Sequence, residues 1–95
     1  MAARIANLAL DIVTAVRKAN DVRVAIQQDY LYRRQLQVEA AGSCEAMLTL
    51  IDIAHRSFGL ETRKVEYWTW LIVELEKLIS KWRKSDRERF RSLLN

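Results

Sequence analysis

The fold is decided by the stretch 36-LQVEAAGSCEAMLTLIDIAHRSF-58, in which apolar residues recur every three or four positions. The apolar series consists of Leu36, Ala40, Cys44, Met47, Ile51, Ala54 and Phe58. Because an α-helix has 3.6 residues per turn, this spacing puts the series on one side of a helix. The series passes through Gly42, which costs a helix only about 1 kcal/mol relative to Ala. The stretch predicts one long helix, with a kink or short turn at residues 41–43 as the alternative.

Similar apolar series lie on both sides of this stretch. The first series predicts a helix over about residues 3–19 and consists of Ile5, Leu8, Ile12, Ala15 and Ala19. Asn20 and Asp21 fit the end of that helix followed by the N-cap of the next. Gly59 fits the residue after a helix end, and Glu61 or Thr62 can begin the last helix. The last series consists of Trp68, Leu71, Leu75, Leu78 and Trp82.

The composition agrees with helices connected by short turns. The 95 residues contain no proline and only two glycines, whereas the turns of β-sheets normally use many of both. Short connections make neighbouring helices antiparallel. We therefore expect an all-α, antiparallel up-and-down bundle in a single domain, residues 1–95. It has four helices if the middle segment turns and three long helices if it does not.

The residues that catalysis or metal binding requires are scarce. Cys44 and His55 are the only residues of their types, so neither a disulfide nor a metal site is expected. The sequence has no glycine-rich phosphate loop and no nucleophile beside a base. No apolar run approaches the roughly 20 residues of a membrane span. We expect a cytoplasmic protein that is not an enzyme and needs no cofactor.

The net charge of +4 is confined to the end of the chain. Residues 81–95 contain six Lys or Arg and two Asp or Glu, whereas the two signs balance in residues 1–80. The predicted nucleic-acid-binding residues of this basic end, residues 77–91, are Lys77, Lys81, Arg83, Lys84, Arg87 and Arg91. They would contact phosphates without reading sequence. The alternative is a solvated helix end whose cations offset the helix dipole.

The apolar series of the last helix stops at Trp82. Asp86 and Arg89 occupy the next positions on that line, so we expect the helix to run past the body of the bundle. Ser85 and Glu88 have the spacing of a capping box, which would allow the helix to stop and restart there.

Some residues lie away from the expected core. Tyr67, Trp70 and Val73 predict a surface that meets another subunit or a different protein, because aromatic residues often anchor interfaces. The alternative is that a four-helix bundle buries both faces internally. Asp29 and Arg33 have the spacing of an exposed helical ion pair. The other interpretation places Arg33 in an interface, or joins it with Arg34 in a basic surface.

Three segments together resemble a known family. They are 30-YLYRRQLQ-37, the run from Ala40 to 44-CEAML-48, and 81-KWRKSDR-87, of which 82-WRKSD-86 is the most specific. They resemble the accessory variability determinant (Avd) family, whose members accompany the reverse transcriptase of diversity-generating retroelements. That family is similar in fold to the four-helix proteins encoded in intervening sequences of bacterial ribosomal RNA genes. The resemblance covers roughly residues 5–91.

The resemblance implies a noncatalytic four-helix subunit that assembles into a ring-like homopentamer. Its basic surface would bind the reverse transcriptase, the RNA of the retroelement and an RNA/DNA hybrid during mutagenic cDNA synthesis. Trp82 would be a packing residue, and Arg83, Lys84 and Arg87 would contact nucleic acid or polymerase. Two other functions remain open: a protein-only oligomerisation or adaptor module, and a structural protein bound to ribosomal RNA.

Overall fold

The computed structural model describes residues 2–94, which form three long helices and contain no strand. The helices are α1 (Ala2–Asp21), α2 (Gln27–Phe58) and α3 (Thr62–Arg89), followed by a short 3₁₀ helix (Arg91–Leu94). The all-α prediction is confirmed. The sequence allowed either three or four helices. The described residues form three long helices and not the four-helix protomer.

The middle stretch is one continuous helix of 32 residues. Gly42 is exposed within it, and a Cβ atom placed there would meet nothing within 4 Å. The helix ends where Gly59 takes the left-handed conformation, at φ 66°, and donates its N–H to the carbonyl of Ala54. A residue with a Cβ atom adopts that conformation at a cost, which explains why glycine stands there.

The first connection differs from the prediction. The structure ends α1 at Asp21 but begins α2 only at Gln27, so no N-cap follows Asp21 directly. The cap is instead provided by Asp29, whose Oδ2 accepts the N–H groups of Ala25 and Ile26 at 3.0 and 3.1 Å. These two backbone N–H groups lie before the first turn of α2 and have no partner within the helix, so the Asp29 carboxylate satisfies them. Its negative charge also lies at the positive end of the helix dipole, where it is stabilising.

The central helix is α2, against which both α1 and α3 pack, while α1 and α3 have little contact with each other. The buried residues of this core are Ile12, Ala15, Ala40, Cys44, Ile51, Ile72 and Ile79. The predicted lines on α1 and α2 therefore supply much of the core. On α3 the predicted line was wrong in register, because Ile72 and Ile79 are buried while Leu71 and Leu78 are 40% and 62% exposed.

The C-terminal end of α3 stays on the body of the bundle. Asp86 is only 1% exposed, and the rings of Tyr30 and Phe90 lie 5.8 Å apart. The helix also continues without interruption to Arg89, past the capping-box spacing at Ser85 and Glu88. The expectation that α3 runs past the bundle after Trp82 was therefore wrong. Asp86 occupies the next core position, and it is buried there because it pairs with Arg33 of α2.

The opposite end of the bundle is open. Ile5 and Ala9 of α1, Phe58 of α2 and Trp68 of α3 line a hollow of about 480 Å³. A second hollow of about 190 Å³ shares Ile5 and Trp68 with the first and continues along α3 to Leu71 and Ile72. We call the two together the apolar groove. Within residues 2–94, no helix has the length and apolar content needed to cross a membrane.

Candidate nucleic-acid interface

A buried polar cluster fixes the basic end of α3 to α2. The Arg33 Nε donates to Asp86 Oδ2 at 2.6 Å, and the Arg33 Nη2 donates to Asp86 Oδ1 at 3.0 Å. Gln37 Nε2 donates to the same Asp86 Oδ2 at 2.8 Å. The guanidinium of Arg33 also lies over the Trp82 ring, 5.1 Å from its centroid. The two-pronged ion pair fixes both the register and the rotation of α3, since it needs both carboxylate oxygens in one orientation.

The cluster explains two charged residues that the sequence analysis placed elsewhere. Arg33 is paired with Asp86 rather than with Asp29, and it is 7% exposed. The exposed Asp29–Arg33 pair was therefore a wrong expectation. The sequence analysis also offered Arg33 and Arg34 as residues of an interface or a basic surface. Arg33 is buried in its ion pair with Asp86, so only Arg34 of the two is exposed.

The outward side of the same turns carries cations. Ser80, Arg83, Lys84 and Arg87 line a surface hollow of about 290 Å³. Their spacing of three, four and seven residues places them on one face of α3, turned away from Trp82 and Asp86. We call these four residues the basic cradle. Among the described residues, none of its three cations forms a salt bridge with a carboxylate.

The remaining predicted cations differ in their surroundings. Lys77 Nζ lies 3.2 Å from Glu74 Oε1, and Arg91 Nη1 lies 3.8 Å from Glu88 Oε2. Lys81 is exposed and forms no ion pair with the residues that the structure describes. The structure therefore concentrates uncompensated charge at the cradle and Lys81, while Lys77 and Arg91 share theirs with neighbouring carboxylates.

The predicted protein-interface residues on α3 are exposed. Tyr67 and Trp70 are each 58% exposed, and Val73 is 36% exposed. With 100° per residue, Trp70 and Val73 lie on the side of α3 opposite the helix line that contains Leu75 and Trp82. The described chain therefore does not bury both faces of α3 internally.

Two carboxyl groups meet where the middle of α2 faces α3. A hydrogen bond with Glu45, together with partial burial and the charge of Glu45, raises the pKa of Glu76 from 4.5 to about 7. Burial, aided by the charges of Glu76 and Glu45, raises the pKa of the Cys44 thiol to about 11. Cys44 is fully buried, so it packs as a small apolar residue and is not a reactive thiolate.

The one histidine of the sequence, His55, lies near the first residue of α3. The ring nitrogen Nε2 of His55 lies 3.4 Å from the Thr62 hydroxyl. In the part of the chain that the structure describes, no three His, Cys, Asp or Glu side chains gather as a metal site would require. The surface carries a cluster of cations at the basic cradle and an apolar hollow at the other end of α3.

Comparisons of the chain with protein-family models, with curated proteins and with solved structures give no match. The resemblance to the Avd family therefore stays an expectation from the sequence.

Sequence reasoning found the cations of the cradle but missed the cluster behind them. The signal was present, because Asp86 lies four residues after Trp82 on a line of apolar residues. Arg33 likewise lies three residues before Leu36, on the extension of the α2 line. A charged residue at a core position of each of two antiparallel helices indicates a buried pair when the two positions face each other. That facing requires the register between α2 and α3, which periodicity alone does not provide.

Proposed function

We propose that this chain is a noncatalytic helical subunit that binds the phosphate backbone of nucleic acid through the basic cradle. The observation that supports it best is the grouping of Arg83, Lys84 and Arg87 on one helix face without a neutralising carboxylate. Uncompensated cations that gather on one surface attract polyanions and release condensed counterions when they bind them.

The support behind the cradle suits this role. Trp82 and Asp86 face the body of the protein from the same two turns whose outer side carries the cations. Their contacts with Arg33 hold those turns in one position. Arginine presents a planar fork of donors that matches phosphate oxygens, and the Ser80 hydroxyl adds a neutral donor. Such contacts position a backbone without selecting bases.

The wider assignment rests on the sequence resemblance. In this proposal the protein is an accessory subunit of a diversity-generating retroelement in the cytoplasm. It binds the reverse transcriptase together with RNA or an RNA/DNA hybrid. It also forms a homo-oligomer, which the resemblance suggests is a pentamer, through exposed residues that include Tyr67, Trp70, Val73 and Arg34.

A charge-matched pair of variants tests the cradle. Replacing Arg83, Lys84 and Arg87 by Ala should weaken binding of a 20-nucleotide RNA by at least tenfold, measured by fluorescence anisotropy at 100 mM salt. The control replaces Arg4, Arg63 and Lys64 by Ala. These three residues are exposed, and the two on α3 lie near its opposite end. Both variants lose three charges, so an equal loss of affinity would show that net charge and not the cradle binds RNA.

The exposed Trp70 favours a second candidate, a protein-only oligomerisation module in which the cradle merely solubilises the protein. In that case the protein should sediment as an oligomer and the Trp70→Asp variant as a monomer in sedimentation velocity. Added RNA should leave both sedimentation coefficients unchanged. RNA binding that survives Trp70→Asp and is lost with the cradle variant would contradict this candidate. A structural protein of ribosomal RNA would use the same cradle and would differ in preferring ribosomal RNA fragments.

A further inference from the structure

The basic cradle is a hollow and not a row of charges. Its four residues surround a single space of about 290 Å³. Arg83 and Lys84 each lie three or four positions from both Ser80 and Arg87, which places the Cβ atoms of these neighbours about 5–6 Å apart. All three cations therefore reach the same space. Its volume is near the lower limit of small-molecule pockets, about 300 Å³, so the cradle has the size of a site for one compact anion.

The charge of the cradle exceeds that of a phosphate inside a strand. An internal phosphodiester carries one negative charge and two unbridged oxygens. A terminal phosphate monoester carries about −1.5 to −2 charges at pH 7 and three acceptor oxygens. The cradle offers three positive charges from Arg83, Lys84 and Arg87, and the Ser80 hydroxyl adds a neutral donor. The terminal group matches this set of donors and charges more closely than the internal one.

The uncompensated charge ends within one turn on both sides of the cradle, along the face of α3 that carries it. Before the cradle, Lys77 pairs with Glu74 at 3.2 Å, and Glu76 lies one turn before the first cradle residue. After the cradle, Arg91 lies 3.8 Å from Glu88, which offsets its charge. A strand that passed through the cradle along α3 would bring its phosphates close to carboxylates in both directions, where like charges repel.

A path for a strand exists on only one side of the cradle. Lys81 lies about 100° around α3 from Ser80 and one turn before Lys84. It is exposed and forms no ion pair within residues 2–94. The end of a strand has chain on one side only and can leave the cradle over Lys81. An internal phosphate has chain on both sides and needs a second path.

We propose that the basic cradle binds the terminal phosphate monoester of a nucleic-acid strand, whose next phosphate lies over Lys81. The inference rests on the proposed function and narrows it, because it names the phosphate that the cradle prefers. The guanidinium groups of Arg83 and Arg87 present forks of donors to the oxygens of the end group. Recognition of this kind selects the end of a strand and not its bases.

A pair of RNA molecules with different ends tests the preference. The probe is an internally labelled 20-nucleotide RNA with a phosphate monoester at each end. One control is the same RNA with hydroxyl groups at both ends. The other is a 22-nucleotide hydroxyl RNA, which carries as many phosphates as the probe. We expect the full chain to bind the probe at least fivefold more tightly than either control, measured by fluorescence anisotropy at 100 mM salt.

A free nucleotide distinguishes a strand end from a phosphate monoester alone. Uridine 5′-monophosphate carries the same end group but has no second phosphate to contact Lys81. It should displace the probe only at concentrations at least a hundredfold above the dissociation constant of the probe. A free nucleotide that binds as tightly as the probe would overturn the proposal, because the ligand would then be a nucleotide and not a strand.

Two single substitutions separate the cradle from the path beside it. Arg87→Ala removes a cradle cation, so it should reduce the preference for the phosphorylated probe to less than twofold. Lys81→Ala removes the same charge outside the cradle. It should therefore weaken the probe and the hydroxyl RNA by the same factor and leave the fivefold preference. Both side chains are exposed and unpaired among the described residues, so both variants should fold, which circular dichroism checks.

The outcomes separate this inference from the proposed function. Equal binding of the probe and the hydroxyl RNAs would overturn the inference. If both were also lost on replacing Arg83, Lys84 and Arg87 by Ala, the binding of backbone phosphates would still stand. Equal effects of Arg87→Ala and Lys81→Ala on the preference would likewise overturn the inference. RNA affinities that the triple replacement leaves unchanged would contradict both.

Discussion

The two ends of α3 meet the rest of the protein in opposite ways. Near its C-terminus, Asp86 is buried and pairs with Arg33 and Gln37, so polar contacts close that end. Near its N-terminus, Trp68 and Leu71 remain partly exposed beside the apolar groove. The closed end holds a charged surface in a fixed position, and the open end leaves an apolar surface without a partner. One helix thus presents a cationic surface near one end and an apolar surface near the other.

The closed end gives the largest expected effect on stability. Asp86→Ala removes both carboxylate oxygens that accept from Arg33, and the guanidinium keeps only the Ala19 carbonyl, 3.4 Å from Nη1. A buried charge is then left without an ion-pair partner, so the free energy of unfolding should fall by about 3–5 kcal/mol. Urea denaturation followed by circular dichroism measures the change. The double variant Arg33→Met/Asp86→Leu should recover most of the loss, because apolar side chains of similar size replace the pair without an unpaired charge. A loss below about 1 kcal/mol for Asp86→Ala would mean that the end is not closed by this pair.

Between the two ends, the Glu45–Glu76 contact predicts a dependence on pH. The folded pKa of Glu76 lies above its unfolded value, so its contribution to stability is complete below about pH 4.5 and is lost as the pH rises through about 7. At pH 8 the Glu76 carboxylate is charged, and the charge of Glu45 disfavours that form. Glu76→Gln should then raise the free energy of unfolding by about 1 kcal/mol at pH 8, after discounting the shift for partial exposure, and by much less at pH 5.

The neighbouring carboxylate provides a control for that pH effect. Glu74 pairs with Lys77 at 3.2 Å, so Glu74→Gln should lower stability by a few tenths of a kcal/mol at both pH values. Thermal unfolding of the two variants at pH 5 and pH 8 gives the comparison. If Glu76→Gln and Glu74→Gln behave alike, Glu45 and Glu76 are not coupled in solution.

A smaller effect than that of Asp86→Ala tests the continuity of α2, the helix on which α3 packs. Gly42 lies inside α2 with open space around it, so Gly42→Ala should stabilise the protein by about 0.5–1 kcal/mol. Gly59→Ala serves as the opposite control and should destabilise it, because Gly59 has a positive φ of 66°. A destabilising Gly42→Ala would indicate that the chain turns near residues 41–43, as the four-helix interpretation requires.

The sequence predicted the helices better than their contacts. Periodicity located α1 and α2, and Gly59 marked the end of α2, because both features depend on residues near each other in the chain. The buried face of α3 was misplaced by one helix position, since Leu71 and Ile72 are equally apolar and only packing against α2 distinguishes them. The cations of the cradle were predictable from their spacing. The Arg33–Asp86 contact was not, because it joins residues 53 positions apart.

The central claim is that the basic cradle binds phosphates, and the salt dependence of RNA affinity tests it most directly. With the three cradle cations and Lys81 engaged, a plot of log K against log salt concentration should have a slope of about −3 for single-stranded RNA. Replacing Arg83, Lys84 and Arg87 by Ala should reduce the magnitude of that slope by about 2. A wild-type slope near zero, or a slope that the triple replacement leaves unchanged, would contradict the account.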